Sequence, residues 1–149
     1  MSRRGIDQAT VEALQDTLAV EHAALWCYGL AVAFLEGTQR DRARDDEATH
    51  RELRAGLERV LTDAGLRPVS AQPAYATPGP VDGPASAARL LVVAEDDVLA
   101  AWRSLLEHTA EQPLRRAGMT ALTRSTVRCA RWRTVTGTDP AVPVFPGRP

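Results

Sequence analysis

Residues 13–32 read ALQDTLAVEHAALWCYGLAV, and within them Leu14, Leu18, Glu21, Leu25, Tyr28 and Val32 recur at spacings of 4, 3, 4, 3 and 4. Such steps keep side chains on one face of an α-helix, the seam along which helices of a bundle pack. Alternation with period two, the mark of a half-buried strand, appears neither here nor elsewhere in the chain. Working outward, the same periodicity predicts four helices at about 7–36, 39–65, 84–110 and 113–136. Gly37 is a stop for the first, and Thr38 followed by Asp41 resembles an N-cap for the second. His50, Leu53, Leu57, Val60 and Ala64 form the second helix's stripe, closed by Gly65 and Pro68. Leu91, Glu95, Val98, Trp102 and Leu105 line the third; Pro113 opens the fourth, whose inward face carries Leu122, Ser125, Cys129 and Trp132.

Short turns make the first and second helices, and the third and fourth, antiparallel pairs. Residues 66–83, with Pro68, Pro73, Pro78 and Pro80, break the helical pattern. An extended stretch of that length reaches about 55 Å, more than the roughly 39 Å of a bundle helix, so it can return the chain to the far end. The expectation is an all-α, ferritin-like antiparallel four-helix bundle, one domain over 1–149, with a long Pro-rich crossover between helices 2 and 3. The tail from Thr138 to Pro149 is expected to lie extended over the bundle, anchored by Val144 and Phe145.

Composition narrows the function classes. Every one of the 18 basic residues is arginine, the 19 acids offset them, and the net charge of -1 gives no electrostatic case for nucleic-acid binding. No apolar run approaches the ~20 residues of a membrane span, and Ser2, Arg3, Arg4, Gly5, Ile6 and Asp7 lack the apolar core of a signal peptide, so the expected location is the cytoplasm. Cys27 and Cys129 have no zinc-ligand or CxxC spacing and read as small buried hydrophobes, with a redox pair as the alternative.

The chemistry sits at polar residues on apolar seams. Glu21 and Glu95 occupy seam positions, and Glu47 with His50 forms a Glu-x-x-His pattern on one helical face. A carboxylate taken out of water costs several kcal/mol unless it is paired or ligating. Di-iron bundles use a Glu from each of two helices and Glu-x-x-His from each of the other two. Here the fourth set is missing, since residues 112–138 hold no Asp, Glu or His but carry Arg115, Arg116, Arg124, Arg128, Arg131 and Arg133. Counting from the turns puts Glu21 level with Arg54, His50 about a turn away, and Glu95 level with Val127 and Arg128. The leading reading is a salt-bridged layer pairing Glu95 with Arg128 and Glu21 with Arg54. The alternative is a reduced metal site on Glu21, Glu47, His50 and Glu95, taking iron or manganese.

Several residues together carry a resemblance: Glu21-His22-Ala23-Ala24 followed by Tyr28-Gly29, His50 on an arginine-rich helix, Pro73-Ala74-Tyr75, Ala130-Arg131-Trp132-Arg133 and Phe145-Pro146-Gly147. In this combination, spanning nearly the whole chain, the sequence resembles an actinobacterial ferritin-like domain family of unknown function. The resemblance implies a ferritin-like four-helix fold without an established activity, and it extends ferritin-type ligands only to Glu21, Glu47, His50 and Glu95.

Other residues have plainer readings. His22 points about 100° from Glu21 and is expected at a helix junction or in solvent. Trp102 and Trp132 are expected in the core, and Trp26, just off the seam, is a candidate subunit contact. The run of Arg40, Asp41, Arg42, Arg44, Asp45 and Asp46 is read as a solvated face. No nucleophile–base pattern or phosphate-cradling glycine loop is present. The expected function is a helical interaction or assembly module, a homodimer, with a structural polar layer; a metal-dependent oxidase is the alternative.

Overall fold

The computed structural model describes residues 5–148; Met1–Arg4 and Pro149, on which parts of the amino-terminal and tail expectations fall, lie outside them. Four helices form a bundle, α1 (Gln8–Val32), α2 (Gly37–Asp63), α3 (Pro84–His108) and α4 (Gln112–Thr136), and no strand occurs among the described residues. Local chemistry accounts for the ends. Asp7 caps α1 by accepting from the Thr10 N–H at 2.8 Å. Pro84 opens α3, and the Ser86 hydroxyl accepts from the Gly83 N–H at 3.1 Å. Gly65, at φ 77°, ends α2 in a left-handed turn that passes the Leu66 N–H back to the Leu61 carbonyl.

The α1–α2 turn departs from expectation. α1 stops at Val32, four residues before its predicted end, and α2 opens at Gly37 behind Glu36, with no side-chain cap from Thr38. The intervening residues fold under the bundle end, where Leu35 is wholly buried. Burial of that leucine, worth about 1.5–3 kcal/mol, favours ending the helix early enough to turn the side chain inward.

Contacts define the directions. α1 packs against α2 and α3, and α3 against α4. Thr10 donates to the His108 carbonyl while Tyr28 donates to Glu95, so α1 and α3 are antiparallel. The connection 64–83 runs along α1: Gln15 binds the Arg67 carbonyl, His22 meets the Val69 carbonyl, and Tyr75 lies over Trp26 with ring centroids 6.0 Å apart. Trp26 is thus partly covered by its own chain.

Beside a small third cluster of Cys27, Leu90 and Ala94, two larger apolar clusters fill the bundle. One gathers Leu14, Leu18, Leu57, Leu61, Val98 and Trp102; the other gathers Tyr28, Ala31, Leu35, Ala43, Leu91 and Trp132. Glu21, His50 and Glu95, all 0% exposed, lie between them.

The tail is held differently from the expectation. Val144 is 82% and Phe145 58% exposed, so neither anchors it. The Pro146 carbonyl instead accepts from Arg103, and Gly147, at φ 79°, lies so close to α3 that an added Cβ would stand 2.5 Å from the Leu99 carbonyl oxygen. Only glycine combines that backbone conformation with that approach.

A candidate functional site: the buried charge layer

The layer is assembled by helix register. The α1–α2 turn is centred between Phe34 and Leu35, which brings Ala48, and hence His50 within half a turn, level with Glu21. The expected level of Arg54 rested on a turn at Gly37, and the shorter α1 removes that offset. His50 replaces Arg54 as the partner of Glu21, and the Arg54 Nε is buried without an acceptor. On the other side the α3–α4 turn sets Glu95 opposite Ser125, with Arg128 one turn further along.

His50 bridges the two acids. Its Nδ1 lies 2.6 Å from Glu21 Oε2 and its Nε2 lies 2.8 Å from Glu95 Oε1. The remaining carboxylate valences are filled by donors from three helices. Trp102 Nε1 donates to Glu21 Oε1 at 2.7 Å, and Ser125 to Glu95 Oε2 at 2.7 Å. Tyr28 donates to Glu95 Oε1 at 2.7 Å, and Arg128 Nε to the same oxygen at 3.1 Å. The expected Glu95–Arg128 pair is therefore present.

Burial by itself would strip His50 of its proton, but hydrogen bonds to Glu21 and Glu95 and the charges behind them outweigh it and raise its pKa to about 9. Burial likewise opposes ionisation of Glu95, yet His50, Arg128 and Tyr28 bring it down to about 2. Tyr28, desolvated and facing Glu95 and Asp46, is pushed well up and keeps its proton. Glu21 and Glu95 thus face an imidazolium and a guanidinium inside the bundle, with the buried Asp46 beside them on Tyr28 and Trp132.

Of the four acids and imidazoles nominated as ligands, the fold brings Glu21, His50 and Glu95 together. Glu47 lies elsewhere, paired at 2.6 Å with the half-exposed Arg51 one turn on. The inward residue is Asp46, expected on a solvated face but 5% exposed and accepting from Trp132 Nε1 at 3.0 Å. Desolvation raises its pKa, opposed by the Trp132 bond. Seam spacing was the available signal, because Ala43, Asp46, His50, Leu53 and Leu57 step by three and four, whereas Glu47 does not fit that register. The donor roles of Tyr28, Trp102 and Trp132 also went unread, although a buried indole N–H or phenol requires a partner.

Each His50 ring nitrogen faces a carboxylate oxygen of Glu21 or Glu95, and the protonated ring has no lone pair for a cation; among the described residues no group of three or more His, Cys, Asp or Glu side chains is disposed to hold a metal ion. These residues therefore do not fit an iron or manganese centre as arranged here. His22, expected at a junction or in solvent, is 5% exposed at the junction with the 64–83 connection. Cys27 and Cys129 are free and buried, and burial pushes their thiols up to about 11 and about 12. Arg133, meanwhile, ties α4 to α3 through Asp96 at 2.9 Å.

No curated protein matches the sequence. The fold is similar to the crystal structure of a conserved hypothetical protein, rv2844, from Mycobacterium tuberculosis, at a TM-score of 0.82 and 36% identity over 85% of this chain and 96% of that one. The model of a family described as a domain of unknown function, DUF4439, matches residues 13–149. A match of that extent, with the similarity in fold and sequence, means that the chain belongs to the DUF4439 family.

Proposed function

We propose that this domain is a ferritin-like bundle in which a protonated histidine and an arginine take the place of a metal centre, and that it serves as an interaction or assembly module, forming a homodimer. The observation that carries the reading is the double engagement of His50 at 2.6 and 2.8 Å, which turns the would-be ligand into a cation. Two antiparallel helix pairs joined by a long connection along α1 support the ferritin-like description. Support for association comes from Val142, Val144 and Phe145, at 52%, 82% and 58% exposure, an apolar strip of the kind that partner surfaces cover. No described helix is long and apolar enough to cross a membrane. A cytoplasmic setting agrees with two free thiols.

Metal analysis and sedimentation of the untagged protein test both halves. Metal-free protein sedimenting as a dimer, and as a monomer after Phe145→Asp, is the expected result. Stoichiometric iron or manganese that disappears in His50→Ala would overturn the structural reading and establish the metal-binding alternative on Glu21, His50 and Glu95. A monomer with intact Phe145 would overturn the assembly reading.

A further inference from the structure

α2 and α4 are not among the closely packed helix pairs, and a cleft of about 360 Å³ opens between them. Its walls are Leu53 of α2 and Ala117 and Ala121 of α4, with the Thr49 and Thr120 hydroxyls at the edge. Three guanidinium-bearing residues line it, Arg116, Arg124 and Arg128, against one acid, Glu52. Towards the other end of α4 it adjoins a second cavity of about 330 Å³, with Glu52, Leu53 and Ala117 common to both. That cavity is walled mainly by Leu57, Val60, Leu105 and Leu114, with Glu52, Arg59 and Asp63 also lining it. The result is a groove that is cationic at one end and apolar at the other.

Arg128, one of the residues lining the cationic end, carries a buried donor without an acceptor. Arg128 is 5% exposed, spends its Nε on Glu95, and leaves Nη2 buried with no acceptor. A guanidinium donor of this kind favours an acceptor that can reach it. Arg124 lies one helical turn before Arg128 on the same face of α4, and neither Arg124 nor Arg116 has an ion-pair partner among the described residues. Guanidinium groups pair with carboxylates through two parallel hydrogen bonds. Since Glu95 already uses the charge of Arg128 and Glu52 offsets one of the others, the surplus suits a single negative charge.

We propose that this groove binds a small amphiphilic monocarboxylate, its head between Arg124 and Arg128 and its aliphatic chain along Leu53 towards Leu57 and Leu114. The site needs no metal and is separate from the dimer question, so it stands or falls independently of both. Octanoate titrated into the full chain by calorimetry, with acetate and octanol as comparisons, is the test. Saturable one-to-one binding of octanoate, at least about tenfold tighter than either comparison, is expected, because each lacks one half of the match. Arg124→Ala, at an exposed position whose loss leaves the helices intact, is expected to weaken octanoate about tenfold without changing octanol. Leu114→Glu is expected to weaken octanoate while leaving acetate unchanged. Absence of saturation, equal affinity for octanoate and octanol, or affinity unaltered in both variants would overturn the proposal.

Discussion

Replacing His50 by leucine isolates the imidazolium that bridges Glu21 and Glu95. In the folded chain His50 titrates at about 9, against 6.5 for the free side chain. A raised folded pKa means that the native state holds the proton more tightly than the unfolded chain. Its stabilisation is complete below 6.5 and drains away as the pH rises through about 9. The tighter hold on that proton corresponds to about 3 kcal/mol, and the depression of Glu95 is the same interaction viewed from its partner. Urea denaturation followed by circular dichroism, from about pH 6 to pH 8, should show wild-type stability falling by about 2 kcal/mol. The window stops below the range in which the unfolded thiols, at 9.0, would add a slope of their own. His50→Leu should lose about 3–5 kcal/mol near pH 6, because Glu21 then keeps only the Trp102 donor, and the slope across the window should vanish. His50→Gln, with one amide donor, should fall between them and serves if the leucine variant does not fold. A flat wild-type profile, or an unchanged slope in either variant, would refute the protonated bridge.

On the acid side Glu95 has the opposite sign: its folded pKa of about 2 lies below 4.5, so its stabilisation is present above 4.5 and lost as the pH falls through about 2, and Glu95→Gln should flatten that limb of a stability profile. Trp102→Phe removes the donor to Glu21 Oε1 and should cost about 1–3 kcal/mol of unfolding free energy in urea titrations, an effect below ~0.5 kcal/mol contradicting the assigned bond. Gly147→Ala meets both the positive φ and the Leu99 carbonyl, so hydrogen exchange should rise across the tail while α1–α4 stay protected; unchanged tail protection would disprove the glycine requirement. Cys27 and Cys129, with thiols at about 11 and about 12, should resist alkylation at neutral pH until the chain unfolds, and rapid labelling of the native protein would contradict their burial.

Fold class and half of the charge layer were legible in the residues themselves. Spacings of three and four placed Leu14, Leu18, Tyr28, Leu91, Val98 and Trp132 inward, and all are buried. The same periodicity picked out Glu21, His50 and Glu95 as polar residues on apolar seams, and counting from the turn set Arg128 against Glu95. What sequence determines here is the face each residue takes, because a helix converts spacing directly into direction.

Depth was decided by the tertiary structure. α1 ends early because burying Leu35 outweighs another turn of helix, and that moves the whole of α2 relative to Glu21. The same small shift exchanges Arg54 for His50 as the partner of Glu21, whereas the inward turn of Asp46 and the pairing of Glu47 with Arg51 follow from spacing along α2. Likewise the tail is held by a backbone approach at Gly147 and not by its apolar side chains, which no local pattern encodes. The proton on His50, finally, follows from two carboxylates arriving from different helices, and only packed helices bring those charges within hydrogen-bond distance.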